Sequence, residues 1–120
     1  MAIWLLLFAV AVHGSAQAQE KPFRIPTDAK AVYTVLERGG SGNIRTIVTK
    51  RDGSSGTSYS QRQYDCDKST WKYIGTGDTI EQMKASKPDA KMGPIVNESI
   101  ASYVGGAACD GYYRKLKQKM

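Results

Sequence analysis

From residue 31 onward, polar and apolar positions alternate in short runs, and each run is cut by glycine-rich punctuation. Ala31-Val32-Tyr33-Thr34-Val35-Leu36 is rich in β-branched and aromatic residues, which pack well on a pleated surface, and predicts a first strand. Gly39-Gly40-Ser41-Gly42-Asn43 predicts the turn that ends it. Ile44 to Lys50 predicts a second strand, with Ile44, Thr46 and Val48 on one face and Arg45, Ile47 and Thr49 on the other. Asp52-Gly53-Ser54-Ser55-Gly56 supplies the residues that a hairpin turn favours. Thr57 to Cys66 alternates again, placing Arg62, Tyr64 and Cys66 on one face and Gln61, Gln63 and Asp65 on the other. A turn over Asp67 to Thr70 leads to a fourth strand, Trp71 to Ile74. Connections this short join neighbouring antiparallel strands, so the pattern predicts a β-meander.

The period changes after Gly75-Thr76-Gly77. Asp78 is placed to cap a short helix, with Glu81 in the position of a capping box and Ile80, Met83 and Lys84 following at helical spacing before Pro88. Ser86 to Val96, with Pro88, Gly93 and Pro94, reads as an ordered loop. Asn97 is placed to cap a second helix, whose apolar stripe is Ile100, Tyr103, Val104, Ala107 and Ala108. Gly105-Gly106 within that stripe cost roughly 1 kcal/mol each against alanine. Either the helix ends there or the missing side chains let it approach the sheet closely; the stripe continues to Cys109, which favours the close approach, and Asp110-Gly111 breaks the pattern. The fold class expected is α+β: an antiparallel meander of four or more strands packed against a C-terminal helix, with one disulfide.

Ahead of this domain, Ile3 to Val12 is an unbroken apolar run, and Ala16-Gln17-Ala18 has the small-x-small form of a signal-peptidase site. The run is half the roughly 20 residues a membrane-spanning helix needs. The chain therefore divides into a cleavable signal over 1–18, an extended lead-in over 19–30 with Pro22 and Pro26, a single domain over 31–110, and a basic tail over 111–120. Cleavage between Ala18 and Gln19 is expected. No Lys or Arg precedes the apolar run, and no cysteine directly follows the signal to carry a lipid anchor. The alternative for the run is a buried strand or helix of the domain.

Export changes how the cysteines read. The chain has 2, Cys66 and Cys109, and an even count in an oxidising compartment points to a structural bridge. A bridge from Cys66 to Cys109 closes a long loop, worth about 4 kcal/mol in the chain-entropy treatment. That matters to a domain of roughly 100 residues, which is at the small end for a self-sufficient core. Two free thiols, or a redox pair, are the alternatives, although the spacing is unlike C-x-x-C.

The 120 residues carry 17 Lys and Arg against 11 Asp and Glu, a net charge of +6. All of these charges lie beyond residue 18. The excess favours anionic partners, and Arg114, Lys115, Lys117 and Lys119 around Leu116 form its densest cluster, with Tyr112 and Tyr113 beside them. A solvated, frayed terminus is the plainer account of the same residues. An exported chain is not expected to meet nucleic acid.

The single histidine, His13, lies inside the signal. A mature chain without it has no Ser-His-Asp or Cys-His catalysis and no His-ligated zinc. Gly39-Gly40-Ser41-Gly42 lacks the Lys-Ser/Thr partner of a phosphate loop. Two-carboxylate hydrolysis would have to draw on Asp65, Asp67, Asp78, Glu81, Asp89 and Glu98, each of which has a structural role to play at a strand end, helix start or loop. Met83 and Met92 read as core filler rather than metal ligands. No enzyme activity and no cofactor are expected.

The strand Tyr59 to Cys66, the aromatic strand Trp-Lys-Tyr-Ile after it, Met92-Gly93-Pro94, Ser99-Ile100 and Cys109 together resemble the surface-adhesin protein E family. The resemblance covers roughly residues 30 to 110. It implies a small exported bacterial protein with an antiparallel sheet on a C-terminal helix, joined by a disulfide. It further implies a non-enzymatic module that binds host matrix and serum proteins, in some members as a homodimer, displayed at the cell surface. Founding members carry a lipid anchor, and this chain departs from them there, which leaves the periplasm open as a second location. The competing expectation is a periplasmic inhibitor or accessory subunit of an envelope enzyme, though a basic chain is an awkward partner for a basic lysozyme.

Overall fold

The computed structural model describes residues 20–118. The predicted signal, with its Ala18/Gln19 junction, and Lys119 lie outside the described residues. Five strands form one antiparallel sheet in chain order: β1 (Val32–Ser41), β2 (Ile44–Gly53), β3 (Gly56–Asp65), β4 (Thr70–Gly77) and the two-residue β5 (Gly93–Pro94). A short helix, α1 (Ile80–Ala85), follows β4, and a 19-residue helix, α2 (Ile100–Gln118), ends the fold. The expected α+β class, meander and C-terminal helix are all present.

Register sorts the side chains by face. Ile47, Arg62 and Tyr73 stand in one row across β2, β3 and β4, and Arg45, Tyr64 and Trp71 in the next. α2 covers this face. Its buried residues are Ala101, Val104, Gly105, Ala108 and Cys109, of which Val104, Ala108 and Cys109 close a core with Tyr33, Val35, Ile47, Tyr64 and Cys66. The stripe is thus turned from the one expected: Tyr103 is exposed, while Ile100 and Ala107 only flank the core. The cause is close approach. A Cβ on Gly105 would stand 2.6 Å from Cε1 of Tyr64, so only glycine lets the helix settle there, and it rolls its small residues onto the sheet. The Tyr64 hydroxyl then donates to the Ala101 carbonyl at 2.6 Å. Cys66 and Cys109 are bridged across 43 positions, tying the end of β3 to the middle of α2.

The other face is covered in part by α1. A Cβ on Gly75 would fall 2.1 Å from the Met83 carbonyl, so helix backbone lies directly on β4. Buried Met83 and Val48 stand apart from the α2 core. A half-open groove of about 480 Å³ remains on this side, lined by Pro22, Leu36, Lys50, Tyr59 and Ile80.

Several boundaries differ from expectation. β1 runs through Gly39 and Gly40, and the turn is Gly42-Asn43 alone; Ser54-Ser55 makes the second turn and residues 66–69 the third. Thr79, not Asp78, caps α1: its Oγ1 accepts from the Gln82 amide, and the Gln82 side chain accepts from the Asp78 amide, so the box sits one residue later and Glu81 is not in it. Ser99 rather than Asn97 holds the start of α2, accepting at Oγ from the Ser102 amide. Glu98 lies before that helix at φ 63, not in its first turn. α2 continues through Asp110-Gly111 to Gln118, where an Asp110–Arg114 pair one turn apart and lysines at the carbonyl end favour helix.

Candidate functional site

The sequence-predicted contact residues lie on the last turns of α2. Arg114 is engaged by Asp110, while Lys115 and Lys117 are exposed and join no ion pair among the described residues. Tyr113 and Leu116 are each 43 % exposed on the same turns. Tyr112 instead turns back to the sheet end, where its hydroxyl donates to Asp67 at 3.3 Å. The helix is about 28 Å long at the usual rise, and only its first half packs on the sheet. The second half is a stiff rod bearing two lysines and two large apolar side chains that the core does not use.

The six carboxylates weighed for hydrolysis are dispersed. Asp65 Oδ1 accepts from the amides of Lys68 and Asp67 and from Asn43, and the Lys68 amide foremost holds its carboxyl below the usual range. Asp89 accepts from the Tyr73 amide on the outer edge of β4. Asp78 and Glu81 sit at the start of α1, and the Glu98 carbonyl takes the hydroxyl of Thr27. No cluster of three His, Cys, Asp or Glu that could hold a metal occurs among the described residues. No described helix is long and apolar enough to cross a membrane.

Two charged clusters were not read from the sequence. In the first, Asp28 on a 3₁₀ turn (Pro26–Asp28) takes a two-pronged bond from Arg51, at 2.8 and 3.0 Å, and a further bond from the Tyr33 hydroxyl. Arg51, then Tyr33, lowers the Asp28 carboxyl to about 2. With buried Ile25 and the Phe23–Tyr33 bridge, the cluster clamps residues 23–31 onto the sheet, so the expected extended lead-in is packed structure.

The second cluster is Arg62. It is 4 % exposed, donating to Thr49 Oγ1 at 3.2 Å and to the Tyr73 hydroxyl at 3.4 Å. Its guanidinium carbon stands 5.0 Å from the Tyr73 ring centre and 5.8 Å from that of Trp71. Among the described residues its Nε has no acceptor, and no ion pair includes it. Two cation–π contacts return about 1 kcal/mol each, against several for a buried, uncompensated ion. The alternation that put Arg62 on the face of Tyr64 was the available signal; its partners come from the registers of β2 and β4.

A bridged cysteine pair belongs to an oxidising environment, extracellular or periplasmic. No protein-family model, curated protein or solved structure matches the chain.

Proposed function

We propose that the chain is an exported, non-enzymatic binding protein that uses the free half of α2 to hold an anionic protein or envelope partner, as an adhesin-like module would. The observation that carries this reading is the pairing of Tyr113 and Leu116 with Lys115 and Lys117 on a helix already anchored by its other half and by Cys109. Lysines near a helix end serve the helix dipole, but exposed tyrosine and leucine there do not. Fixed aromatic and apolar anchors ringed by cations are what an acidic partner surface would meet at little ordering cost. The bridge and the apolar Ile3–Val12 run support export, and the resemblance to the surface-adhesin protein E family supports a contact role.

The test is capture by the immobilised chain, comparing wild type with L116S and with K115E combined with K117E. Wild type should retain a discrete species from matrix, serum or envelope fractions, and each variant should lose it by roughly tenfold or more. Equal retention by wild type and variants, or none by wild type, would count against the reading. Protease shaving of intact cells separates surface display, where the protein is digested, from the periplasm, where it survives and is released by osmotic shock. The recovered mass should correspond to a start near Gln19.

A further inference from the structure

Arg62 is a buried cation to which the described residues give no counter-ion. Guanidinium does not shed its proton, so the charge persists. The carboxylates with described partners are committed elsewhere: Asp28 to Arg51, Glu20 to Arg38, Asp52 to Thr57, Asp65 to its own turn, Asp67 to Tyr112, Asp89 to the β4 backbone and Asp110 to Arg114. The Nε proton faces no acceptor among the described residues. The bond from Nη2 to Tyr73, at 3.4 Å, is long for its kind.

The sheet places hydroxyls beside this cation. Thr49, which receives Nη1, is paired in register with Ser60, and Ser60 with Thr76. The three hydroxyl side chains therefore share a row on the face of Arg62 and Tyr73. Burial falls along that row, from Thr49 at 2 % exposed through half-buried Ser60 to exposed Thr76. Hydroxyls donate to oxygen acceptors, and the guanidinium fork matches a carboxylate, phosphate or sulfate edge.

We propose that Arg62, with the hydroxyls of Thr49, Ser60, Thr76 and Tyr73, forms a binding site for an oxyanion that enters at Thr76 and supplies the charge the fold withholds. This site lies on the sheet, apart from the free half of α2, and stands or falls separately from the contact role proposed for that helix.

The experiment follows the Arg62 Nε–H resonance of the ¹⁵N-labelled full chain, together with its melting temperature, as sodium acetate, phosphate or sulfate is added against sodium chloride of equal ionic strength. At least one oxyanion should shift the resonance saturably and raise the melting temperature. The one that saturates at the lowest concentration identifies the head group. R62M should abolish the stabilisation, and S60A or T76V should weaken binding by roughly tenfold, the size of a charge-assisted hydrogen bond. A resonance unmoved by all three salts overturns the proposal. So does an equal rise in R62M, which would mark general salting by kosmotropes. If R62M does not fold, unchanged affinity in both S60A and T76V overturns it as well.

Discussion

At the level of single residues, the two adjacent glycines of α2 have opposite roles. Gly105 faces the Tyr64 ring, where an added Cβ would fall 2.6 Å from Cε1, whereas Gly106 has nothing among the described residues within 4 Å of that position. Gly105→Ala should destabilise by about 1–3 kcal/mol, because the ring is fixed by its bond to the Ala101 carbonyl. Gly106→Ala should stabilise by about 1 kcal/mol through helix propensity. Urea unfolding of the two variants checks both signs at once. The Asp28 clamp sets a pH dependence. Its carboxyl is held at about 2 against an ordinary 3.8, so its contribution is complete above 3.8 and is lost as pH falls through about 2. Tyr33, pushed up to about 12 by burial and then by Asp28, contributes fully below 10 and loses its share as pH climbs toward 12. Stability of D28N, measured by urea midpoint against pH, should lack the acid step that the native chain shows between 3.8 and about 2. The clamp could not be read along the chain, because Asp28 and Arg51 are 23 positions apart and meet only through the β1–β2 register. Arg62 was placed on the right face by alternation, but its aromatic neighbours are delivered by another strand.

Among the elements, the strands were legible because period-two alternation and short Gly, Asn and Ser turns act within a few residues. Gly39-Gly40 misled, since glycine marks turns locally but here lies inside an edge strand paired with Thr46 and Arg45. The α1 cap shows a similar competition. Asp78 and Thr79 are both good caps, and only the helix phase decides between them. Thr79→Ala should cost about 1 kcal/mol, while Asp78→Ala should change little, because only the Asp78 backbone amide takes part. Thermal unfolding separates the two. Helix α2 outlasts Asp110-Gly111 because the local cost of one glycine is set against a continuous hydrogen-bonded rod with an Asp110–Arg114 pair. Sequence pattern sees the interruption and not the rod.

Across the whole molecule, the apolar core is one sheet face under half a helix, and the Cys66–Cys109 bridge joins the two layers. Replacing both cysteines by serine should lower the unfolding free energy by about 4 kcal/mol, read from urea curves against the oxidised chain. Both cysteines are nearly inaccessible, at 4 % and 1 % exposed. Reductant should therefore act on the native protein at the rate of its opening rather than on contact.

The strand order has a consequence for how the molecule is made. Each strand pairs with its predecessor in the chain, so three hairpin closures, followed by the return of β5 after α1, can zip the sheet before α2 is in place. Cys109 is then brought to a partner already positioned at the end of β3. With 2 cysteines in the chain, a single intramolecular pairing is available. Maturation accordingly needs an oxidant but no isomerase to sort mispaired bonds, and bridge formation reports that the helix has docked.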